Sequence, residues 1–225
     1  MKIWHISDTH NAHEGLIVPQ CDMVIFSGDS SNPSNPYNNE PEVRRFITWF
    51  DSLPIKHKIY VAGNHDTSIE KGLVTKHNFR DLGIHYLEND FVIIEGLTIW
   101  GSPVTPTFGV GWSFNRDRSK IYKTWEHIPE YTDILVTHGP PKGILDKSFN
   151  RENVLEMCGD SALLKRVMKL SLKAHLFGHI HNNKEYFCNS GTQVLSGFPT
   201  IFSNGSCSTD GKLGEITSHG NILDI

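Results

Sequence analysis

Short apolar runs that end in Gly, Ser, Asp or His recur along this chain and set the first constraint on its fold. The runs are rich in β-branched and aromatic residues, as buried strands are. They lie at residues 2–7, 22–27, 57–62, 91–96, 97–102, 133–138 and 175–179, and QVLSG, PTIFSN and GEITSHGNILDI add strand signals near the carboxyl end. The pattern predicts that β-sheets form the core.

Two segments between these runs have the periodicity of amphipathic helices. Their apolar positions are Val43, Phe46, Ile47 and Phe50 in EPEVRRFITWFDSL, and Leu163, Leu164, Val167 and Met168 in DSALLKRVMKLS. We expect Pro41 in the first turn of the first helix, and Asp160 or Ser161 at the cap of the second. The stretch SSNPSNPYNNEP is expected to form a loop. Strands that alternate with helices favour a layered α/β fold with some antiparallel strands.

Length and charge limit the classes of function. A chain of 225 residues without repeats or a linker predicts a single domain over residues 1–225. The formal net charge of -4 provides no positive field for long nucleic acid or an anionic membrane. No apolar run approaches the ~20 residues that span a bilayer, and the run in MKIWHISDTH is too short for a secretory signal.

Cysteine usage indicates a reducing environment. The chain has Cys21, Cys158, Cys188 and Cys207, and none of them lies in a CxxC motif or near a histidine pair at zinc-finger spacing. We therefore predict four reduced thiols in a cytoplasmic protein. Each is expected to be a small buried side chain.

Polar side chains follow five of the predicted strands. Asp8 and His10 come after the first strand as DTH, and in extended backbone such a pair points the same way. Asp29 follows the second strand, where Gly28 permits a tight turn. The other strand ends carry Asn64, His65 and Asp66 in GNHD, His138 in THGPP, and His179 and His181 in HLFGHIH.

Each motif taken alone is explained equally well by an ordinary turn. Five such motifs at the ends of five predicted strands are not explained in this way. Functional groups of an α/β sheet gather at the carboxyl ends of its strands. Carboxylate, imidazole and amide ligands suit Mn, Fe, Zn or Ni, and the candidates exceed what one ion needs. The sequence therefore predicts two divalent ions that share a carboxylate and act on a phosphate group. His175, whose spacing differs, is expected to be structural.

The ordered motifs DTH, GD, GNHD, THGPP and GHIH resemble the signature of the calcineurin-like metallophosphoesterase superfamily across nearly the whole chain. The resemblance implies a two-sheet β-sandwich flanked by helices. It assigns Asp8, His10, Asp29 and His181 to one ion, and Asp29, Asn64, His138 and His179 to the other. It also implies that a metal-bridging hydroxide attacks phosphorus and that Asp66 orients its loop. His65 is implied to lie outside the metal shell and to meet the phosphate, where it either protonates the leaving alkoxide or stabilises the transition state.

Three longer stretches look like a narrower group within that superfamily. GSPVTPTFGVGWSFN, IPEYTDILVTHGPP and HLFGHIH resemble small metallophosphoesterase-domain proteins of animal brain, which are similar to bacterial cyclic-nucleotide phosphodiesterases. This resemblance implies hydrolysis of phosphodiesters, with 2′,3′-cyclic AMP among the substrates and manganese favoured as the cofactor.

The loop PVTPTFGVGWSFNRDRSK is expected to line the substrate entrance. It carries Phe108, Trp112 and Phe114, and then Arg116, Arg118 and Lys120. Trp112 is predicted to contact the substrate beside Asn64 and His65, because aromatic faces stack on nucleobases. The alternative is an aromatic anchor with a solvated charged face. His13 is more readily explained as a surface residue than as part of the cleft.

Other functions stay open. Protein phosphatases of the superfamily carry GDxxDRG where this chain has GDSSNPSN, which disfavours a phosphoprotein substrate but permits a broad phosphomonoesterase. The acidic balance disfavours a nuclease of the same fold. A non-enzymatic scaffold would lack ligands, whereas this set is complete. The sequence gives no indication of oligomeric state.

Overall fold

The computed structural model describes residues 1–32, 34–150, 152–183, 185–209 and 212–225. Its strands are β1 (Lys2–Ile6), β2 (Met23–Phe26), β3 (His57–Tyr60), β4 (His85–Tyr86), β5 (Asp90–Ile94), β6 (Leu97–Ser102), β7 (Thr105–Pro106), β8 (Asn115–Arg116), β9 (Ile134–Thr137), β10 (Lys147–Phe149), β11 (Leu155–Met157), β12 (Ala174–Phe177), β13 (Gly191–Leu195), β14 (Phe198–Asn204), β15 (Ser208–Thr209), β16 (Lys212–Ile216) and β17 (Asn221–Asp224). Its helices are α1 (Pro36–Ser52), α2 (Thr67–Glu70), α3 (Lys76–Asp81), α4 (Tyr122–Trp125) and α5 (Ser161–Val167), with a 3-10 turn at His13–Gly15.

Two sheets contain the main strands. The first has the order β17-β1-β2-β3-β4, in which β17 pairs antiparallel with β1 and the remaining pairs are parallel. The second has the order β13-β14-β12-β9-β6-β5, with antiparallel pairs at its two edges. Parallel strands point their carboxyl ends to the same edge, so loops that follow β1, β2 and β3 lie side by side, as do those that follow β9 and β12.

Alternating side chains hold the two sheets face to face. Ile3, Met23, Ile25 and Ile59 of the first sheet form one buried cluster with Ile99, Ile134, Val136 and Leu176 of the second. The residues between them in sequence point outward: Trp4, Val24 and Phe26 pack against the apolar face of α1. A third cluster joins the outer face of the second sheet to α4 and α5. The predicted α/β sandwich flanked by helices is confirmed.

Helix α1 begins earlier than its pattern predicts. It starts at Pro36, and the side chain of Asn35 caps it by accepting a hydrogen bond from the backbone N–H of Tyr37. Pro41, expected in the first turn, lies inside the helix instead. Pro41 is exposed, so water can reach the carbonyl group that a proline leaves without a donor. The second half of the predicted loop is therefore helical, and Pro33 in its first half lies outside the described residues.

Helix α5 is shorter than predicted. Asp160 caps it by accepting a hydrogen bond from the backbone N–H of Ala162, as expected. The helix ends at Val167, and Met168 is 47% exposed rather than part of the apolar face. Met168 keeps helical backbone angles as the C-cap residue, so its side chain lies beside the buried face formed by Leu163 and Val167 and not within it.

Two predictions about burial are wrong. Cys188 is an exposed free thiol, because it lies in the loop before β13, and Cys21 and Cys158 are only half-buried. Cys207 is buried as expected. His13 is buried rather than exposed, because the 3-10 turn packs its ring against Phe46 and Trp49, with ring centroids 5.1 and 5.0 Å apart. Within the described ranges, the structure contains no helix with both the length and the apolar character needed to cross a bilayer.

Candidate metal centre

The predicted ligands from both sheets meet at one edge of the sandwich. Three groups of side chains place their ligand atoms within 4.8 Å of one another: Asp8, His10 and His181; His10, Asp29 and His65; and Asp29, His138 and His179. Asn64 joins the last group, because its Oδ1 lies 2.9 Å from Nε2 of His138. His175 belongs to none of these groups and bonds to Thr137 Oγ1, which agrees with the structural role predicted for it.

The backbone brings these ligands together in a way that strand alternation does not predict. Asp8, His10, Asp29 and His179 have φ angles of 52°, 43°, 61° and 69°, in the left-handed region. L-residues rarely adopt this conformation, and when they do it is often at functional sites. Asp8 and His10 therefore converge through a tight turn after β1, and the extended-backbone argument for this pair is wrong.

Two glycines permit the loops to approach this closely. A Cβ atom at Gly28 would lie 2.8 Å from the Cα of Gly63 and would collide with the ring of His138. A Cβ atom at Gly178 would collide with the carboxylate of Asp8 and the hydroxyl of Ser7. Because no side chain fits at either position, the loops after β1, β2, β3, β9 and β12 share one small volume.

The histidine rings are oriented for metal binding. Nδ1 of His10 lies 3.1 Å from the carbonyl oxygen of Ser31, and Nδ1 of His138 lies 2.8 Å from that of Ser27. Donation from each Nδ1–H leaves Nε2 as a lone-pair ligand. Nε2 of His10 lies only 3.3 Å from Nε2 of His181. Two acceptor nitrogens at this distance require a proton or a cation at the same place, so the donor set fits a divalent metal.

Burial and charge set the protonation of these groups. Burial opposes ionisation of Asp8 and Asp29, but the neighbouring imidazoles outweigh it and lower the pKa of both carboxyl groups. Burial lowers the pKa of His179 to about 3. Burial also disfavours the charged form of His138, but the adjacent Asp29 carboxylate overcomes this effect and raises its pKa to about 9. Metal binding needs ionised carboxylates and neutral imidazoles, so His138 has to release a proton.

A second set of hydrogen bonds positions the two carboxylates. Asp8 Oδ2 accepts from the backbone N–H of His179 and from Ser206 Oγ, at 2.9 and 2.8 Å. Asp29 Oδ1 accepts from the backbone N–H of His65 at 2.7 Å. The sequence motifs did not include Ser206, although it lies in the polar run that follows β14 and so resembles the other strand ends.

Asp66 holds two of the loops together. Its buried carboxylate accepts hydrogen bonds from the backbone N–H groups of Gly63, Asp29 and Ser30. Burial, and next the charge of Asp29, raise its pKa. The Asp66 carboxylate therefore links the loop after β2 to the loop after β3 by hydrogen bonds. This contact fits the orienting role predicted from the sequence.

We expect Ser206→Ala to weaken metal binding by about 10- to 100-fold, because the loss of such a supporting hydrogen bond frees a ligating carboxylate to move. Titration of the metal-stripped protein with Mn²⁺ measures the effect. Ser171→Ala, which removes an exposed hydroxyl, is the control. Equal Mn²⁺ affinity in the Ser206 variant and the wild type would show that the backbone N–H of His179 suffices to hold Asp8.

Two stacked aromatic side chains border the centre. The ring of Trp112 lies 4.5 Å from that of His65, and the ring of Phe108 lies 5.0 Å from that of His179. Phe108 and Trp112 stack on each other at 5.8 Å. Phe114 is buried in the core instead, so this residue alone is the aromatic anchor of the loop. The predicted entrance loop thus lies beside the predicted ligand His179 and the catalytic candidate His65.

Comparison with known proteins gives one consistent result. The family model described as calcineurin-like phosphoesterase matches residues 1–183. Human metallophosphoesterase domain-containing protein 1 is 31% identical over 230 residues, which cover 91% of this chain and 65% of that protein. A UPF0046 protein of Caenorhabditis elegans is 35% identical over 211 residues, which cover 85% of this chain and 72% of that protein. The chain thus spans somewhat less than two thirds of the length of the human relative.

A solved structure agrees at the level of the fold. Phosphopantetheinyl hydrolase from Mycobacterium tuberculosis superposes with a TM-score of 0.59 at 15% identity, over 92% of this chain and 89% of that one. Identity this low supports the architecture and carries no information about substrate.

Proposed function

The chain belongs to the calcineurin-like phosphoesterase family, and we propose that it is a two-metal phosphodiesterase for a small nucleotide-like substrate such as a cyclic nucleotide. Family membership implies a metal-dependent phosphoester hydrolase. The observation that carries the proposal is the position of Asp29, which lies in two of the three ligand groups and so can bridge two ions. The free thiols favour a reducing, cytoplasmic location.

The residues divide into two sites around Asp29. Asp8, His10 and His181 would hold one ion, and His138, His179 and Asn64 the other. When bound, two divalent ions, with manganese favoured, would polarise the phosphate oxygens and lower the pKa of water. The carboxylates contribute negative charge that keeps the ions in place, while the neutral imidazoles leave a net positive charge to face the phosphate.

His65 is placed to handle the leaving group. Its Nδ1 lies 3.0 Å from the carbonyl oxygen of Asn32, which fixes the ring and leaves Nε2 for the substrate. The side chain is 9% exposed, and Trp112 covers it on one side, so the ring is shielded from most of the solvent. A proton held at Nε2 can pass to the leaving oxygen as its bond to phosphorus breaks.

A diester is supported by the surroundings of the centre. Trp112 lies beside His65 and Phe108 beside His179, and the two rings stack on each other at 5.8 Å, so one continuous aromatic surface borders the centre. A diester carries two organic groups that can pack against this surface, and a monoester carries one.

The test uses metal-stripped protein to which Mn²⁺ is restored, with bis-p-nitrophenyl phosphate and p-nitrophenyl phosphate as the two substrates. We expect faster cleavage of the diester, and no cleavage of either without metal. Faster cleavage of the monoester would instead identify a phosphomonoesterase. Two bound ions without activity on either ester would contradict the proposal and favour a scaffold.

A further inference from the structure

We propose that a cavity beside the metal centre binds the base of the substrate, and that Glu156 selects a base with paired N–H donors, guanine in preference to adenine. The inference rests on the proposed function and adds the substrate class to it. The cavity lies between the predicted ligand His179 and the β10–β11 hairpin, which the sequence motifs did not include.

The cavity has the size and position of a ligand subsite. Its volume is about 460 Å³, within the range of small-molecule pockets. His179 and Gly139, the residue after His138, form its inner end. A nucleotide whose phosphate lies at the metal centre therefore has this cavity directly beside it.

Two aromatic rings line the cavity and can stack on a planar base. Phe149 of β10 is fixed by Tyr186 and Phe187, with ring centroids at 5.2 and 5.8 Å. Phe108 is 44% exposed and is held between Trp112 and His179. Rings that are fixed from behind and open in front are what a stacking platform requires, and stacking does not depend on which base is present.

Two polar side chains of the cavity wall, Arg118 and Asn150, make hydrogen bonds within the protein itself. Arg118 donates hydrogen bonds to the backbone carbonyl groups of Cys158 and Gly159. Asn150 Oδ1 accepts from two backbone N–H groups of the hairpin, and Asn150 Nδ2 donates to Glu156. Asn150 therefore holds the hairpin and orients the carboxylate of Glu156, rather than contacting a ligand.

Glu156 keeps the capacity to bind a base. A carboxylate has roughly four acceptor sites, and Asn150 uses one of them. Since the carboxylate is acceptor-only, it favours a ligand edge that offers donors. Guanine presents adjacent N1–H and N2–H groups that match two carboxylate oxygens, whereas adenine presents one amino group beside a ring acceptor that repels the carboxylate.

The test compares kcat/KM for guanosine and adenosine 2′,3′-cyclic phosphates in the Mn²⁺-loaded protein. We expect the guanosine-to-adenosine ratio to be about 10 or more in the wild type and to fall about tenfold in Glu156→Gln, because an NH2 donor group replaces one of the two acceptor oxygens. Glu152→Gln is the matched control: it makes the same change at an exposed position of the same hairpin, outside the cavity lining, and should leave the ratio unchanged.

A stacking variant separates the two contributions. Phe149→Leu should lower kcat/KM for both nucleotides by about tenfold while preserving their ratio, since stacking is worth about the same for either purine. An unchanged ratio in Glu156→Gln, or a wild-type ratio near one, overturns the assignment of Glu156.

Failure of the cavity assignment can be told apart from failure of the proposed function. Cleavage of bis-p-nitrophenyl phosphate without preference for guanosine overturns the cavity assignment alone. If no diester is cleaved, calorimetric binding of GMP and AMP to the Mn²⁺-loaded protein measures the cavity without turnover. Equal Kd values for the two nucleotides then overturn the assignment, and tighter binding of GMP that Glu156→Gln abolishes supports it.

Discussion

Replacing Asp29 by alanine is expected to abolish hydrolysis and to release both ions. Asp29 belongs to both the group with His10 and the group with His138 and His179, so its removal takes a ligand from each site. Metal ions contribute several kcal/mol of transition-state stabilisation, and each 1.36 kcal/mol is a factor of ten in rate. We therefore expect kcat/KM to fall by at least about a thousandfold, and metal analysis of the purified variant to find less than one ion per chain.

Two further variants control for damage to the fold. Asp29→Asn keeps the size of the side chain and an acceptor for the backbone N–H of His65, so it should unfold at a temperature near that of the wild type while binding metal weakly. Asp81→Ala removes an exposed carboxylate and should retain full activity. If Asp29→Ala keeps two tightly bound ions, Asp29 is not the bridge and the two-site division is wrong.

His65→Ala should leave two ions in place and lower kcat by about 10²–10⁴-fold, the usual contribution of general acid–base catalysis. The loss should be larger for a nucleoside diester than for a p-nitrophenyl ester, because the nucleoside alkoxide is the stronger base and needs the proton more. Steady-state kinetics on both substrates, together with metal analysis, measures the two effects. His85→Ala, which removes an exposed ring, is the control.

Metal analysis of the His65 variant also decides between two geometries. Nitrogen of His65 lies within 4.8 Å of ligand atoms of both His10 and Asp29, so this ring can also serve as a ligand. Loss of an ion in His65→Ala would assign it to the metal shell. Retention of both ions with an equal loss for good and poor leaving groups would assign it to charge stabilisation rather than proton transfer.

The sequence predicts which residues meet at the candidate site mainly because the order and direction of the strands determine where each strand ends. Parallel strands place their carboxyl ends together, so Asp8 and Asp29 lie side by side in the first sheet, as His138 and His179 do in the second. The conformation of each loop, in contrast, does not follow from the order of the strands. Left-handed φ angles at Asp8 and His10 cannot be read from the residue types alone, because Asp and His are enriched at positive φ but most of them still have negative φ.

Elements that bury little apolar surface leave no periodic pattern in the sequence, so the sequence does not predict them. The β10–β11 hairpin is short and its second strand is exposed, so no alternation of apolar and polar residues marks it. The start of α1 at Pro36 is hidden in the sequence because Pro41, five residues later, carries the same first-turn signal. If Glu156 of this hairpin selects the base, as proposed, specificity depends on a part of the chain that periodicity describes poorly.

The pairing of β1 with β17 determines where the ends of the chain emerge. Lys2 pairs with Asp224, and the backbone N–H of Ile225 donates to the carbonyl oxygen of Met1. Because β1 runs from Lys2 toward Asp8, both ends lie at the edge of the sandwich opposite the metal ligands. A tag, a surface tether or a fused domain attached at either end thus leaves from the back of the molecule. Joining the two ends and reopening the chain elsewhere would keep β1 in its sheet.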